Sequence, residues 1–116
     1  MDKYFMVAMG GALGSLARYA LGAAVISRFP SRFPFATLIV NVTGCFLIGA
    51  IMPLLARSHA NWRLLLVVGF LGGYTTFSAF AFETYVSVRG GSPWIGLANV
   101  VASVTLGYLA VLLGSR

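Results

Sequence analysis

Residues 64–85 read Leu-Leu-Leu-Val-Val-Gly-Phe-Leu-Gly-Gly-Tyr-Thr-Thr-Phe-Ser-Ala-Phe-Ala-Phe-Glu-Thr-Tyr, and this stretch decides the class of the protein. A helix needs roughly 20 apolar residues to cross the hydrocarbon core of a bilayer. The charged residue Glu83 lies near the end of the stretch. Four stretches, this one among them, qualify as membrane spans: residues 4–26, 35–56, 64–85 and 94–113. The connecting loops are short, so we predict an all-α membrane protein, with residues 1–116 as a single four-helix transmembrane domain.

The composition agrees with a membrane protein. Of 116 residues, 59% are hydrophobic and only 9% are charged, and the mean hydropathy is +0.93. Soluble domains are about a quarter charged, and a short chain leaves a large share of its surface exposed. That surface must face the lipid bilayer, which excludes soluble enzymes and disulfide-rich scaffolds. The lone cysteine, Cys45, rules out an intrachain disulfide.

The net charge of +6 does not indicate a nucleic-acid partner. A basic surface for phosphate would cluster on one face, whereas these cations flank the apolar stretches and only Arg18 lies within one. The apolar run that contains Arg18 is too long for a cleavable signal peptide, so we interpret it as the first span.

The distribution of Lys and Arg does not orient the chain. With four spans, one side of the membrane carries Lys3, Arg57, Arg63 and Arg116, and the other carries Arg28, Arg32 and Arg89. Arg18 lies nearer the second side and balances the count. The positive-inside rule therefore leaves two interpretations: the rule fails for so few charges, or copies insert both ways up and pair as an antiparallel homodimer.

Small residues recur every four positions in three spans, as in closely packed membrane helices. The recurring positions are Gly10, Gly14, Arg18 and Gly22 in the first span, Gly69 and Gly73 in the third, and Asn99, Ser103 and Gly107 in the fourth. Ordinary helix packing and a subunit interface both explain them.

Three polar side chains inside the spans stand out, because such groups need a partner or a water-filled cavity in lipid. Asn41 serves either an interhelical hydrogen bond or transport. Arg18 either snorkels to the interface or reaches into an aqueous vestibule. Glu83 is a candidate partner for Arg18.

The third span is predicted to break between Gly72 and Thr76, because paired glycines followed by paired threonines make poor helix. In lipid, such a break is tolerated only where it is buried or lines a cavity, and its backbone can bind ions. Phe77 and Phe80 follow on one helical face. Their ring edges are electropositive and suit a small anion, although such faces usually serve plain contact with lipid.

Three segments together are similar to the CrcB/Fluc family of bacterial fluoride channels. They are Gly10-Gly-Ala-Leu-Gly-Ser-Leu-Ala-Arg-Tyr19, Thr37-Leu-Ile-Val-Asn-Val-Thr-Gly44 and Gly69-Phe-Leu-Gly-Gly-Tyr-Thr-Thr-Phe-Ser-Ala-Phe80, and the resemblance covers nearly the whole chain. It implies a multi-pass protein of the bacterial plasma (inner) membrane, not an enzyme. The expected protein is a dual-topology antiparallel homodimer that exports fluoride passively through two pores and holds a central structural sodium ion.

The resemblance also implies roles for individual residues. The sodium would be held by backbone carbonyls of Gly72 and Thr75 from each subunit, and Arg18 would line the vestibule. The expected pore residues are Asn41, Phe77, Phe80, Ser78 and Ser103. The family often has a tyrosine where this chain has Asn99, which leaves the role of Asn99 open.

Three other interpretations bear on function. A small multidrug-resistance-type cation/proton exchanger has the same layout but needs a membrane-embedded carboxylate, and the acidic residues here are Asp2 and Glu83. A membrane enzyme lacks support, because His59 lies in a loop and Cys45 has no basic neighbour. A heterodimer encoded by paired genes remains an alternative to the homodimer.

Overall fold

The structure, a computed structural model, describes residues 2–116 and contains no strand within that range. Its helices are α1 (Lys3–Arg28), α2 (Phe35–Leu55), α3 (Ala60–Arg63), a π-helix (Leu64–Leu71), α4 (Gly72–Tyr74), α5 (Phe77–Arg89) and α6 (Pro93–Gly114). The segments from Ala60 to Arg89 together form the third span. The all-α prediction is therefore confirmed.

Four spans in this range are long and apolar enough to cross a membrane: Lys3–Arg28, Phe35–Leu55, Ala60–Arg89 and Pro93–Gly114. The third extends beyond the predicted 64–85 at both ends, since helix already begins at Ala60, capped by the side chain of His59. Many large apolar side chains face outward, whereas the central packed cluster is small and centres on Val40, Leu71 and Tyr74. An apolar exterior around so small a core is stable in lipid, and the chain is a multi-pass membrane protein.

Local sequence signals set the helix ends. The Asp2 carboxylate accepts a hydrogen bond from the Tyr4 backbone N–H at 2.9 Å and caps α1. The loop after α1 contains Pro30 and Pro34, and α2 begins directly after Pro34. Pro93 occupies the first turn of α6, where its missing N–H has no cost. Because these connections are short, successive spans run antiparallel.

Glycines bring α1 into backbone contact with the first half of the third span. A Cβ atom added to Gly14 would overlap the Phe70 carbonyl and lie 3.0 Å from the Tyr74 nitrogen, and one added to Gly10 would lie 2.8 Å from the Phe70 nitrogen. The small-residue stripe of the first span thus packs within the chain. A π-helix is wider than an α-helix and often occurs near functional sites; here it lies against this glycine face.

Candidate functional site

The third span is interrupted in its middle, as predicted. Thr75 (φ −86°, ψ 158°) and Thr76 (φ −149°, ψ 114°) are extended, between the end of α4 at Tyr74 and the start of α5 at Phe77. The break frees backbone groups inside the hydrocarbon region, where each needs a partner. How those groups are satisfied determines what the site can bind.

Asn41 of α2 clamps the break. Its Nδ2 donates to the Thr76 carbonyl at 3.0 Å, and its Oδ1 accepts from the Thr76 N–H at 2.9 Å. The interhelical hydrogen bond considered for Asn41 therefore exists. An amide group carries two N–H hydrogens, so one remains for another acceptor.

The Thr76 hydroxyl caps α5 by accepting from the Ala79 N–H at 3.2 Å. This cap and the Asn41 clamp redirect two N–H groups that a continuous helix would send to carbonyls four residues earlier. The Thr76 N–H would have reached the Gly72 carbonyl, and the Ala79 N–H would have reached the Thr75 carbonyl. Both carbonyls are consequently without their helical donors.

These two carbonyls are the ones that the resemblance assigns to sodium. Hard cations such as sodium prefer oxygen ligands, so the freed oxygens of Gly72 and Thr75 fit the ion chemically. Both residues line one cavity. Residues 2–116 contain no cluster of three His, Cys, Asp or Glu side chains that would hold a different kind of metal. Two carbonyls are too few to enclose a cation, and further oxygens would have to come from water or a second copy.

This first cavity has a volume of about 440 Å³ and brings together six of the eight predicted site residues: Asn41, Gly72, Thr75, Phe77, Phe80 and Ser103. Cys45, Thr76 and Val104 also line it, and its wall is mostly apolar. Ser78 does not line the cavity. It is exposed, and its hydroxyl lies 3.4 Å from that of Thr76.

The two phenylalanines form a tilted pair that lines the first cavity. Their ring centroids are 5.6 Å apart and their planes meet at 51°. Phe77 is 79% exposed, so most of its ring projects beyond the chain, whereas Phe80 is half-buried. Tilted rings direct some of their electropositive edges toward the space beside them.

Arg18 of α1 contacts the third span just before the break. Its Nε donates to the Gly73 carbonyl at 3.2 Å, which places a cation near the C-terminal end of the first half of the third span, where the helix dipole favours positive charge. Arg18 lines a second cavity of about 490 Å³ together with Thr37, Thr76 and Glu83.

Glu83 is bound to Thr37 rather than to Arg18. The Thr37 hydroxyl donates to Glu83 Oε2 at 2.8 Å, and Oε1 is buried without a hydrogen-bond partner among the described residues 2–116. Sequence reasoning did not assign a role to Thr37. The available signal was its spacing: an intramembrane hydroxyl one helical turn before Asn41 lies on the same face.

Asn99 lies behind the first cavity rather than in its wall. It is 1% exposed, its Nδ2 donates to Thr84 Oγ1 at 2.9 Å, and its Oδ1 accepts from Ser103 Oγ at 3.4 Å. Asn99 therefore links α5 to the cavity-lining Ser103.

Comparison with known proteins assigns the family. A sequence model of the family described as "CrcB-like protein, Camphor Resistance (CrcB)" matches residues 5–115. The chain belongs to the CrcB family. The resemblance drawn from its three segments is confirmed.

Several relatives cover almost the whole chain. "Fluoride-specific ion channel FluC" of Solibacter usitatus is 61% identical over 116 residues, which are 97% of this chain and 95% of the relative. The proteins of the same name from Acidobacterium capsulatum and Thermus thermophilus are 46% and 44% identical, covering 97% and 100% of this chain and 92% and 94% of theirs. These relatives are named as channels, which confirms that the chain is not an enzyme.

Proposed function

We propose that this protein is a passive, selective fluoride channel of the bacterial plasma membrane, with its pores at the interface of an antiparallel homodimer. The observation that carries the proposal is the Asn41-clamped break, because it places amide, hydroxyl and ring-edge groups around one cavity. The membership of the CrcB family and the names of the relatives support fluoride as the ion.

The chemistry of the first cavity suits a small anion stripped of water. Fluoride gives up strong hydration, so its path must offer hydrogen-bond donors. The second N–H of Asn41 and the hydroxyl of Ser103 are such donors. The edges of Phe77 and Phe80 add positive potential without a competing acceptor. A narrow aromatic wall would exclude the larger chloride ion by size.

A second copy would complete the site. The Phe77 ring is mostly outside its own chain, and the first cavity opens at the surface beside it. Ser78 is also exposed, and a partner subunit would have to bring it next to the pore. The balanced Lys and Arg count favours an antiparallel arrangement of the two copies.

A structural sodium ion at the dimer centre is part of the proposal. Gly72 and Thr75 would hold it through their freed carbonyls, which the Asn41 clamp and the Thr76 cap keep from their helical donors. When bound, the ion supplies positive charge near the pore. Two carbonyls from each of two antiparallel copies would give it four protein oxygens.

The direction of flux follows from passive conduction. Fluoride that enters a cell as neutral hydrogen fluoride ionises inside, and a channel lets the anion leave down its electrochemical gradient. Arg18 would offer an approaching anion a cation in the second cavity, and Thr76 lines both this cavity and the first.

The test is fluoride efflux from liposomes that contain the purified protein, read with a fluoride electrode after a potassium ionophore is added. We expect fast fluoride efflux, no chloride efflux in parallel vesicles, and loss of flux when sodium is replaced by a large organic cation during purification. Absence of fluoride efflux in sodium buffer would overturn the proposal. Proton-coupled uptake of a cationic drug would instead support the exchanger, with Glu83 as its carboxylate.

A further inference from the structure

A directed chain of hydrogen bonds runs from α5 to the first cavity. It begins at the Phe80 carbonyl, passes through Thr84 and Asn99, and ends at the Ser103 hydroxyl. Only Ser103 at its end and Phe80 at its start line the cavity. Asn99 is 1% exposed and acts on the cavity only through its neighbours.

The direction of this chain follows from counting hydrogens. The Thr84 hydroxyl donates its one hydrogen to the Phe80 carbonyl at 2.9 Å, so toward Asn99 it can only accept. The Asn99 amide must therefore turn its NH₂ group to Thr84, at 2.9 Å, and its oxygen to Ser103. In this arrangement the Ser103 hydrogen is directed at Asn99 and away from the cavity.

The contact between Ser103 and Asn99 is easily exchanged. At 3.4 Å it is long for a hydrogen bond between a hydroxyl and an oxygen. An anion in the first cavity would accept the same hydrogen in a shorter, charge-assisted bond. Rotation of the hydroxyl alone moves the hydrogen from one acceptor to the other.

We propose that Asn99 is a positioning residue that sets, through Ser103, how tightly the first cavity holds fluoride. Asn99 gives the Ser103 hydrogen a weak resting partner, so the hydroxyl is satisfied when the cavity is empty and is released when the ion arrives. Conduction requires this balance, since an ion must bind well enough to enter and weakly enough to leave. The inference rests on the proposed function and extends it to Asn99, a residue that does not line the first cavity.

Two substitutions should shift the affinity in opposite directions. In Asn99→Leu, the Ser103 hydroxyl loses its weak partner and turns to the backbone carbonyl of residue 99, the usual acceptor four residues earlier. In Thr84→Val, the Asn99 amide is free to flip, donate to Ser103 and leave the Ser103 hydrogen for the ion. We expect the half-saturating fluoride concentration to rise roughly three- to tenfold in the first variant and to fall by a similar factor in the second.

The measurement is the initial rate of fluoride efflux from liposomes over a range of internal fluoride concentrations. Each variant is compared with wild type and repeated in a Ser103→Ala background, where both shifts should disappear. Thr105→Val, an exposed position on the same helix, is the matched control and should leave the half-saturating concentration unchanged.

Four outcomes would overturn the inference. Shifts of the same sign in both variants, or shifts that persist with Ser103→Ala, would show a merely structural role for Asn99. If Asn99→Leu does not fold, an unchanged half-saturating concentration in Thr84→Val is decisive, because valine keeps the shape of threonine. Wild-type vesicles that release no fluoride would overturn the proposed function itself, and the inference with it.

Discussion

The two halves of the third span are held in place by different forces. The half before the break packs against α1 through Gly10, Gly14 and Gly69, with backbone against backbone. The half after it is tied to α2 and α6 by side-chain hydrogen bonds, from Thr37 to Glu83 and from Asn99 to Thr84. The first half is held by close backbone packing and contributes Gly72 to the first cavity, whereas the second contributes Phe77 and Phe80 to the first cavity and Glu83 to the second. Substitutions in the first half should therefore affect folding, and those around the second half should affect flux.

Gly14→Ala is expected to have the largest effect, the loss of the folded protein and hence of all flux. Its Cβ would overlap the Phe70 carbonyl, and neither helix backbone can move aside alone. Overpacking typically costs about 1–3 kcal/mol and occasionally more, and an overlap with backbone atoms lies at the upper end of that range. Gly11→Ala is the matched control, since its Cβ would lie 3.8 Å from the nearest atom, the Gly69 carbonyl oxygen. Yield and thermal unfolding of both detergent-purified proteins are the measurement; equal stability would contradict the glycine contact.

Asn41→Asp should abolish fluoride efflux but lower the stability of the protein less than Gly14→Ala does. A carboxylate cannot donate to the Thr76 carbonyl, and it would place negative charge in an anion path. Efflux from liposomes and thermal unfolding, measured side by side, separate the two effects. Wild-type flux from the purified, folded variant would remove Asn41 from the pore.

Phe80→Ile should reduce fluoride efflux about tenfold and leave the protein folded, because the apolar volume largely remains and the electropositive ring edge is lost. The control is Phe82→Ile. The Phe82 ring is 64% exposed and lines neither the first nor the second cavity. Equal efflux rates from the two variants would show that Phe80 serves packing alone.

Thr37→Val should have the smallest effect, a loss of about 1.5 kcal/mol in the free energy of unfolding, the low end for a hydrogen bond to a charged group. It removes the hydrogen bond that the Glu83 carboxylate accepts, and valine keeps the shape of threonine. Ser87→Ala on α5, a half-buried hydroxyl outside both cavities, is the comparison. Identical unfolding temperatures for all three proteins would show that the Thr37 bond adds no stability.

Much of this arrangement could be predicted from the sequence because membrane spans carry a strong one-dimensional signal. Length and hydropathy located four helices, and the Gly-Gly and Thr-Thr pairs located the break. Asn41 and Arg18 were candidates because polar groups in lipid are costly. Their actual partners, the Thr76 backbone and the Gly73 carbonyl, are 35 and 55 residues away in sequence. No local pattern encodes such distances.

The same limit explains what sequence reasoning left open. Asn99, Ser103 and Gly107 are four residues apart, which predicts that they share one face of the helix. Whether that face meets a cavity or another helix depends on the packing of α5. The pairing of Glu83 with Thr37 rather than Arg18 likewise depends on how α2 and α5 approach each other. The proposed pairing of two copies depends on a surface that a single sequence only partly describes.

The Asn41 clamp has a consequence for biosynthesis. A ribosome delivers the chain from its N-terminus, so α2 is inserted before residues 75 and 76 leave the translocation machinery. If α2 has entered the bilayer by then, Asn41, which pairs with both backbone groups of Thr76 in the folded chain, is in place when Thr76 arrives. The Asn41 amide in the preceding span can then pair with the Thr76 N–H and carbonyl. The break can therefore move from the aqueous channel of the translocon into lipid with both groups hydrogen-bonded.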